Sequence, residues 1–178
     1  MVKFIPNMDR VTLAKMFSTF ALTGAEIGVA NGDYSDAICQ ENPNVKLFCI
    51  DSWIKYEGYN DKAPDNFEES ERMAKEKLAK YNCIFIKKFS MDAIKDFDDE
   101  SLDFVYIDAN HNFKYILEDI TEWSKKVRKG GIVAGHDYDW GGIQQALESY
   151  KQNYFVLGRD EKIPGEIRES SRSWFYIK

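Results

Sequence analysis

No apolar run in the sequence approaches the ~18 residues that a membrane-spanning helix needs, and the N-terminus has no signal-peptide core. A soluble, cytoplasmic protein is the expectation. The chain has only three cysteines, Cys39, Cys49 and Cys83. They are widely spaced among apolar residues, which excludes a zinc-finger spacing and a disulfide framework and predicts buried thiols in a reducing compartment. Basic residues are outnumbered: 24 Lys and Arg against 30 Asp and Glu leave a formal net charge of −6. That balance argues against bulk electrostatic binding to nucleic acid or an anionic membrane. The local run Lys125, Lys126, Arg128 and Lys129 reads as the cationic end of a helix, where positive charge suits the dipole. Histidine is scarce, with only His111 and His136. There is no internal repeat, low-complexity tract or linker, and 178 residues at 44% hydrophobic content suffice for one domain.

What is present centres on Leu102 to Asp139. Leu102 to Ile107 is an apolar run closing on Asp108, and Ala109, Asn110 and His111 follow. Tyr115, Ile116, Ile120, Trp123 and Val127 recur at near-helical spacing over Phe113 to Val127. A second apolar run from Gly130 ends in Gly135, His136 and Asp137. Strand, helix, strand implies a right-handed crossover between parallel strands, with both strand ends on the sheet edge where ligands sit. Both histidines fall on that edge, each beside a carboxylate. Either they are loop residues satisfying local backbone groups, or they belong to an active site; their pairing favours the site.

Elsewhere the pattern predicts a helix over Asp9 to Phe20 and strands over Ala25 to Ala30, Lys46 to Asp51 and Cys83 to Phe89. Helices follow over Tyr34 to Gln40 and Asn66 to Tyr81. The long connection from Ser52 to Asn66 carries Trp53, Tyr56 and Tyr59, and reads equally as a lid or a surface excursion. Asp92 is placed to cap a short helix over Ala93 to Asp96. A helix over Gly141 to Asn153 precedes strands at Tyr154 to Leu157 and Ser173 to Ile177, joined without a helix and so antiparallel. Arg159, Arg168 and Arg172 read as solvated surface charges, with contact to an anionic substrate as the alternative.

Three constellations carry chemistry. Glu26, Gly28, Ala30 and Gly32 form a Gly-containing turn that feeds a helix N-terminus and lets a ligand approach the backbone. A nicotinamide-dinucleotide fingerprint would need glycine at 30 and 33, where Ala30 and Asp33 stand. Asp51 ends the second of these strands, where an acid suits the two hydroxyls of a ribose. Asp108, His111, His136 and Asp137 could hold a divalent metal and take a proton.

Glu26 to Gly32, Asp51, Asp103 to Asp108 and Gly130-Gly131 together resemble the class I S-adenosylmethionine-dependent methyltransferases. The segments Asp51-Ser52-Trp53, Ile107 to His111 and Gly130 to Asp137 resemble the metal-dependent macrocin-type sugar O-methyltransferases, and the likeness spans roughly residues 22 to 177. It implies a Rossmann-like α/β fold: a doubly wound, mostly parallel seven-stranded sheet with an antiparallel last strand and helices on both faces. The N-terminal helix occupies residues 1–21 and the core 22–178. The resemblance also implies that Glu26, Gly28, Asn31 and Gly32 meet the methionine part of the cofactor and Asp51 its ribose. Trp53, Ser90, Met91 and Asp92 would surround the adenine. Asp108, His136 and Asp137 would hold a divalent metal, magnesium by analogy although magnesium prefers oxygen ligands. The catalytic residues would be His111 as base and Asp108, which also borders the cofactor.

The expected reaction is methyl transfer to a hydroxyl of a small molecule, a sugar by analogy, with metal assistance. Neither nucleic acid nor membrane is an expected partner, and a homo-oligomer is allowed. The competing readings are a non-catalytic module that binds an adenosyl ligand and a nucleotide-dependent oxidoreductase, against which the glycine pattern speaks.

Overall fold

The computed structural model describes residues 2–17, 23–56, 66–151, 153–159 and 170–178. Its strands are β1 (Val2–Ile5), β2 (Thr23–Ile27), β3 (Lys46–Asp51), β4 (Cys83–Lys87), β5 (Leu102–Ile107), β6 (Val127–Gly135), β7 (Tyr154–Leu157) and β8 (Trp174–Ile177). Its helices are α1 (Arg10–Phe17), α2 (Asp33–Glu41), α3 (Phe67–Leu78), α4 (Ser90–Ala93), α5 (Phe113–Lys126) and α6 (Gly141–Tyr150). The strands form one eight-stranded sheet in the order β1-β7-β8-β6-β5-β2-β3-β4. Only β8 runs antiparallel to its neighbours, β6 and β7.

The expected seven-stranded sheet gains an eighth strand. β1 pairs in parallel with β7 at the edge, Val2 opposite Tyr154. Its middle residues Lys3 and Phe4 are both exposed, so the alternation that marks a half-buried strand is missing. The strand predicted over Ala25 to Ala30 starts earlier, at Thr23, and ends at Ile27. The helix predicted over Asp9 to Phe20 is seen as α1 to Phe17; residues 18–20 lie outside those described. Asp9 caps it, its Oδ1 accepting from Thr12 N–H at 2.8 Å.

Alternation along the central strands sorts the core onto two faces. Phe104 and Tyr106 face α1, α2 and α3 with Leu13, Phe17, Ile38 and Leu78, while Val105 and Ile107 face α5 and α6 with Ile120, Trp123 and Leu147. Each fully buried Leu, Ile or Phe contributes roughly 1.5–3 kcal/mol. The β5–α5–β6 crossover is as expected, with β5 and β6 parallel.

Arg172 is a correction. Far from being solvated, it is 3% exposed, its guanidinium on the Asp139 carboxylate (Nε to Oδ1, 3.0 Å) and between the rings of Phe4 and Tyr138. Residue 168 lies outside those described, and Arg159 is exposed. No helix among the described residues is long and apolar enough to cross a membrane.

Candidate active site

The C-terminal ends of β2, β3, β5 and β6 lie on one edge of the sheet and bring the candidate residues together. Gly28 follows β2 at φ 89°, and its N–H donates to Ile50 O at 2.8 Å. A Cβ there would stand 2.1 Å from the Asp108 carbonyl oxygen. Glycine is therefore required by the neighbouring chain itself, whatever ligand passes over it. Gly32, at φ 76°, caps α2, and a Cβ would press on Ala74 of α3 at 3.2 Å.

Asp51 is engaged by the backbone of two neighbouring loops. Its Oδ2 accepts from Val29 N–H (2.9 Å) and Ala30 N–H (3.0 Å), and its Oδ1 from Trp53 N–H (2.8 Å). Ala30 and Trp53 are both left-handed, at φ 47° and 44°, an uncommon state for residues with a Cβ. Trp53 Nε1 donates to Ala30 O at 3.0 Å, so carboxylate and indole lock the two loops to each other. Trp53 is 2% exposed and packs toward Phe85, so it forms a wall rather than a mobile flap. Of the aromatic connection, Tyr56 is held by Asn110 Nδ2 at 2.9 Å, and residues 57–65, including the tyrosine at 59, lie outside those described.

Two cavities meet at this edge. The first, about 430 Å³, is bordered by Gly28, Asp51, Trp53, Ser90, Met91 and Asp119. The second, about 440 Å³, is bordered by Arg10, Glu26, Asn31, His111, Asp137 and Trp140. Gly28, Ala30, Asp108 and Ala109 belong to both. Gly32 and His136 border neither but support residues that do. Asp92 stands apart: it is exposed, lies inside α4 rather than capping a helix over 93–96, and pairs with Lys95 at 2.8 Å.

A dense set of titratable groups lies in and beside the second cavity. His111 Nε2 lies 2.8 Å from Asp137 Oδ2 and 3.8 Å from Asp108 Oδ1. His136 Nδ1 lies 3.4 Å from Asp137 Oδ1 and 3.9 Å from Asp108 Oδ2. Burial opposes the charge of Asp137, but the two imidazoles outweigh it and hold its carboxyl far below the usual range. Burial also works against His136 charging; Asp137 and Asp108 overcome it and raise its pKa. Glu26, 1% exposed, is raised well above an ordinary carboxyl by burial, with Ser35 Oγ donating to it as partial relief. Asp137 is itself left-handed at φ 54°.

A family model described as methyltransferase domain matches residues 25–138, well over half of the chain. The chain belongs to the methyltransferase-domain family. Solved structures agree on the fold. The O-methyltransferase TomG of Streptomyces achromogenes, involved in tomaymycin synthesis and solved with SAM, is similar at 16% identity and TM-score 0.62, over 94% of this chain and 77% of that one. An O-methyltransferase from Bacillus cereus in complex with SAH is similar at 13% identity and TM-score 0.62, over 94% and 78%. A precorrin-6y C5,15-methyltransferase from Geobacter metallireducens gives 14% identity and TM-score 0.61, over 93% and 84%. No curated protein sequence is recognisably similar. Family and fold are those of class I S-adenosylmethionine-dependent methyltransferases.

The structure of this methyltransferase-domain protein adds site residues that sequence reading passed over. Asp119 on α5 is buried at the first cavity, accepts from Ser90 Oγ, and is raised to about 7 by burial. Its signal was present: position 119 falls on the apolar stripe with Ile116, Ile120 and Trp123, where an acid needs a reason. Arg10 and Trp140 reach the second cavity from α1 and from just before α6, and the Trp140 ring lies 5.2 Å from that of His111. Neither has a local sequence signal, because only the fold carries α1 to the strand ends.

Proposed function

We propose that this protein transfers the methyl group of S-adenosylmethionine to a hydroxyl of a small, polyhydroxylated acceptor of the sugar class. The observation that carries the reading is the junction of the two cavities at Gly28 and Asp108, with an imidazole and two carboxylates beside the junction. The adenosyl part occupies the first cavity, near Asp51, Ser90, Met91 and Asp119, and the methionine part extends past Gly28 toward Glu26 and Asn31. The acceptor enters the second. His111 removes the hydroxyl proton, the oxygen attacks the methyl carbon in line, and the carbon–sulfur bond breaks to leave S-adenosylhomocysteine. Base catalysis of this kind is typically worth ~10²–10⁴-fold, and holding donor and oxygen in line supplies much of the rest.

The donor set suits a divalent cation. Asp108, His111 and Asp137 each offer a ligand atom, all within 4.8 Å of one another. A cation there would lower the pKa of the acceptor hydroxyl. Asp108 and Asp137 supply the oxygens, and His111 stands in this set where His136 was expected; His136 Nδ1 lies 3.9 Å from Asp108 and 3.4 Å from Asp137. The convergence of three donors favours a second reading of His111 as a ligand rather than the base. A nitrogen in the set favours manganese or iron over magnesium.

The test is S-adenosylhomocysteine release over a panel of sugars and vicinal diols, with and without chelator. Acceptor-dependent release supports the reading. Tight binding of S-adenosylhomocysteine with no turnover on any acceptor would favour the non-catalytic binding module.

A further inference from the structure

The three cysteines, widely spaced in sequence, converge in the fold. Cys39 lies in the last turns of α2, Cys49 on β3, and Cys83 opens β4. Register sets Leu47 opposite Cys83, so Cys49, two residues along, faces the same side of the sheet beneath α2. The Cys39 and Cys83 sulfurs are 3.6 Å apart. Cys39 and Cys49 are buried, and Cys83 alone is partly open to solvent. Contact with the Cys39 and Cys49 thiols lowers the Cys83 pKa and favours its thiolate, against its burial and the nearby Asp36 carboxylate. Burial and the thiol contacts hold Cys39 and Cys49 protonated.

We propose that Cys83 and Cys39 are an oxidation-sensitive pair, converted by a small peroxide into a disulfide that loosens the cofactor turn. The Cys83 thiolate attacks one peroxide oxygen, the O–O bond breaks, and a sulfenic acid forms as hydroxide leaves and takes up the proton the Cys83 thiol had released, giving water. The Cys39 sulfur then attacks the Cys83 sulfur. Its proton and the displaced hydroxide leave as a second water. Two thiols and one hydrogen peroxide thus give one disulfide and two waters.

Bond formation requires the sulfurs to close by ~1.5 Å from their present separation, since an S–S bond is ~2.05 Å. Closure draws α2 toward β4. α2 begins at the Gly32 turn and carries Ser35, whose hydroxyl donates to Glu26 and lies 3.9 Å from Cys49 Sγ. The bond itself is independent of the proposed function. Its effect on the cofactor rests on the adenosyl reading above.

The experiment treats the full-length protein with hydrogen peroxide, then counts thiols after denaturation, maps non-reduced peptides and titrates S-adenosylhomocysteine. We expect one thiol to remain, a Cys39–Cys83 linked peptide, and several-fold weaker S-adenosylhomocysteine binding, all reversed by dithiothreitol. C39S should trap the sulfenic acid at Cys83, and C49S should still form the bond. Three alkylatable thiols after treatment, or a bridge through Cys49, would overturn the pair. A Cys39–Cys83 bond with unchanged affinity would overturn the coupling to the turn. A reduced protein that never binds S-adenosylhomocysteine would count against the adenosyl reading, while the peptide map still decides the bond.

Discussion

Asp51 accepts the Trp53 backbone N–H at 2.8 Å and so fixes a left-handed tryptophan at the rim of the first cavity. Together with its bonds to Val29 and Ala30 this engages three of the ~four lone-pair sites of a carboxylate. A residue whose only task was to meet a ribose would affect ligand affinity alone when changed. Asp51→Asn should instead lower both, costing ~1–3 kcal/mol in urea unfolding as an amide NH₂ replaces one of the two oxygens that face backbone donors, along with weaker S-adenosylhomocysteine binding. Unchanged stability would reduce Asp51 to a ligand contact.

Gly28→Ala places a methyl 2.1 Å from the Asp108 carbonyl, at φ 89°. Loss of ~2–4 kcal/mol is expected, from overpacking plus an unsuitable backbone angle. Urea denaturation checks it, and a variant as stable as the parent would contradict the close approach of β2 and β5.

Asp119 predicts a pH dependence of stability. Its pKa is raised from 3.8 to about 7 in the folded protein, so between these values the folded state holds a proton that the unfolded state has released. Its favourable contribution is full below pH ~4 and is lost as pH rises through ~7. Asp119→Asn keeps an acceptor for Ser90 but cannot ionise. Relative to the parent it should gain stability progressively across this window, by at most roughly 4 kcal/mol. Urea midpoints at a series of pH values test this; a constant difference between the two proteins would refute it.

Trp140 is 49% exposed and borders the second cavity beside His111. Trp140→Ala should change stability by no more than about 0.5 kcal/mol, as for other surface positions. It should raise KM for the acceptor about tenfold, the ~1.4 kcal/mol of a lost ring contact, without altering S-adenosylhomocysteine affinity. Steady-state kinetics with a calorimetric titration separates the two.

His111→Ala distinguishes base from ligand. As base, its loss lowers kcat and leaves manganese affinity alone. As ligand, it weakens manganese binding by an order of magnitude or more, read by electron paramagnetic resonance without turnover.

Much of this arrangement was legible in the chain. β3, β5 and α5 are strongly periodic or bounded by acids, and the sequence between β7 and β8 carries no helical pattern, which pointed to the antiparallel pairing that β8 makes. β1 was hidden because its two central residues are exposed. The candidate site was legible as a gathering of residues at strand ends, Gly28, Asp51, Asp108 and His111, which the fold brings to one edge of the sheet. It was not legible where α1 and α5 deliver Arg10 and Asp119 from far along the chain. The cysteine cluster was missed for the same reason: spacing in sequence says nothing of sulfurs joined by the β3–β4 register.

The most direct test of the adenosyl assignment is thermal unfolding with S-adenosylmethionine, S-adenosylhomocysteine and NAD. At 100 times the dissociation constant a bound ligand adds ~2.7 kcal/mol, a readily measured rise in Tm. Stabilisation by both adenosyl ligands and none by NAD is the predicted result. Absence of any shift with millimolar S-adenosylhomocysteine would contradict the assignment of the first cavity.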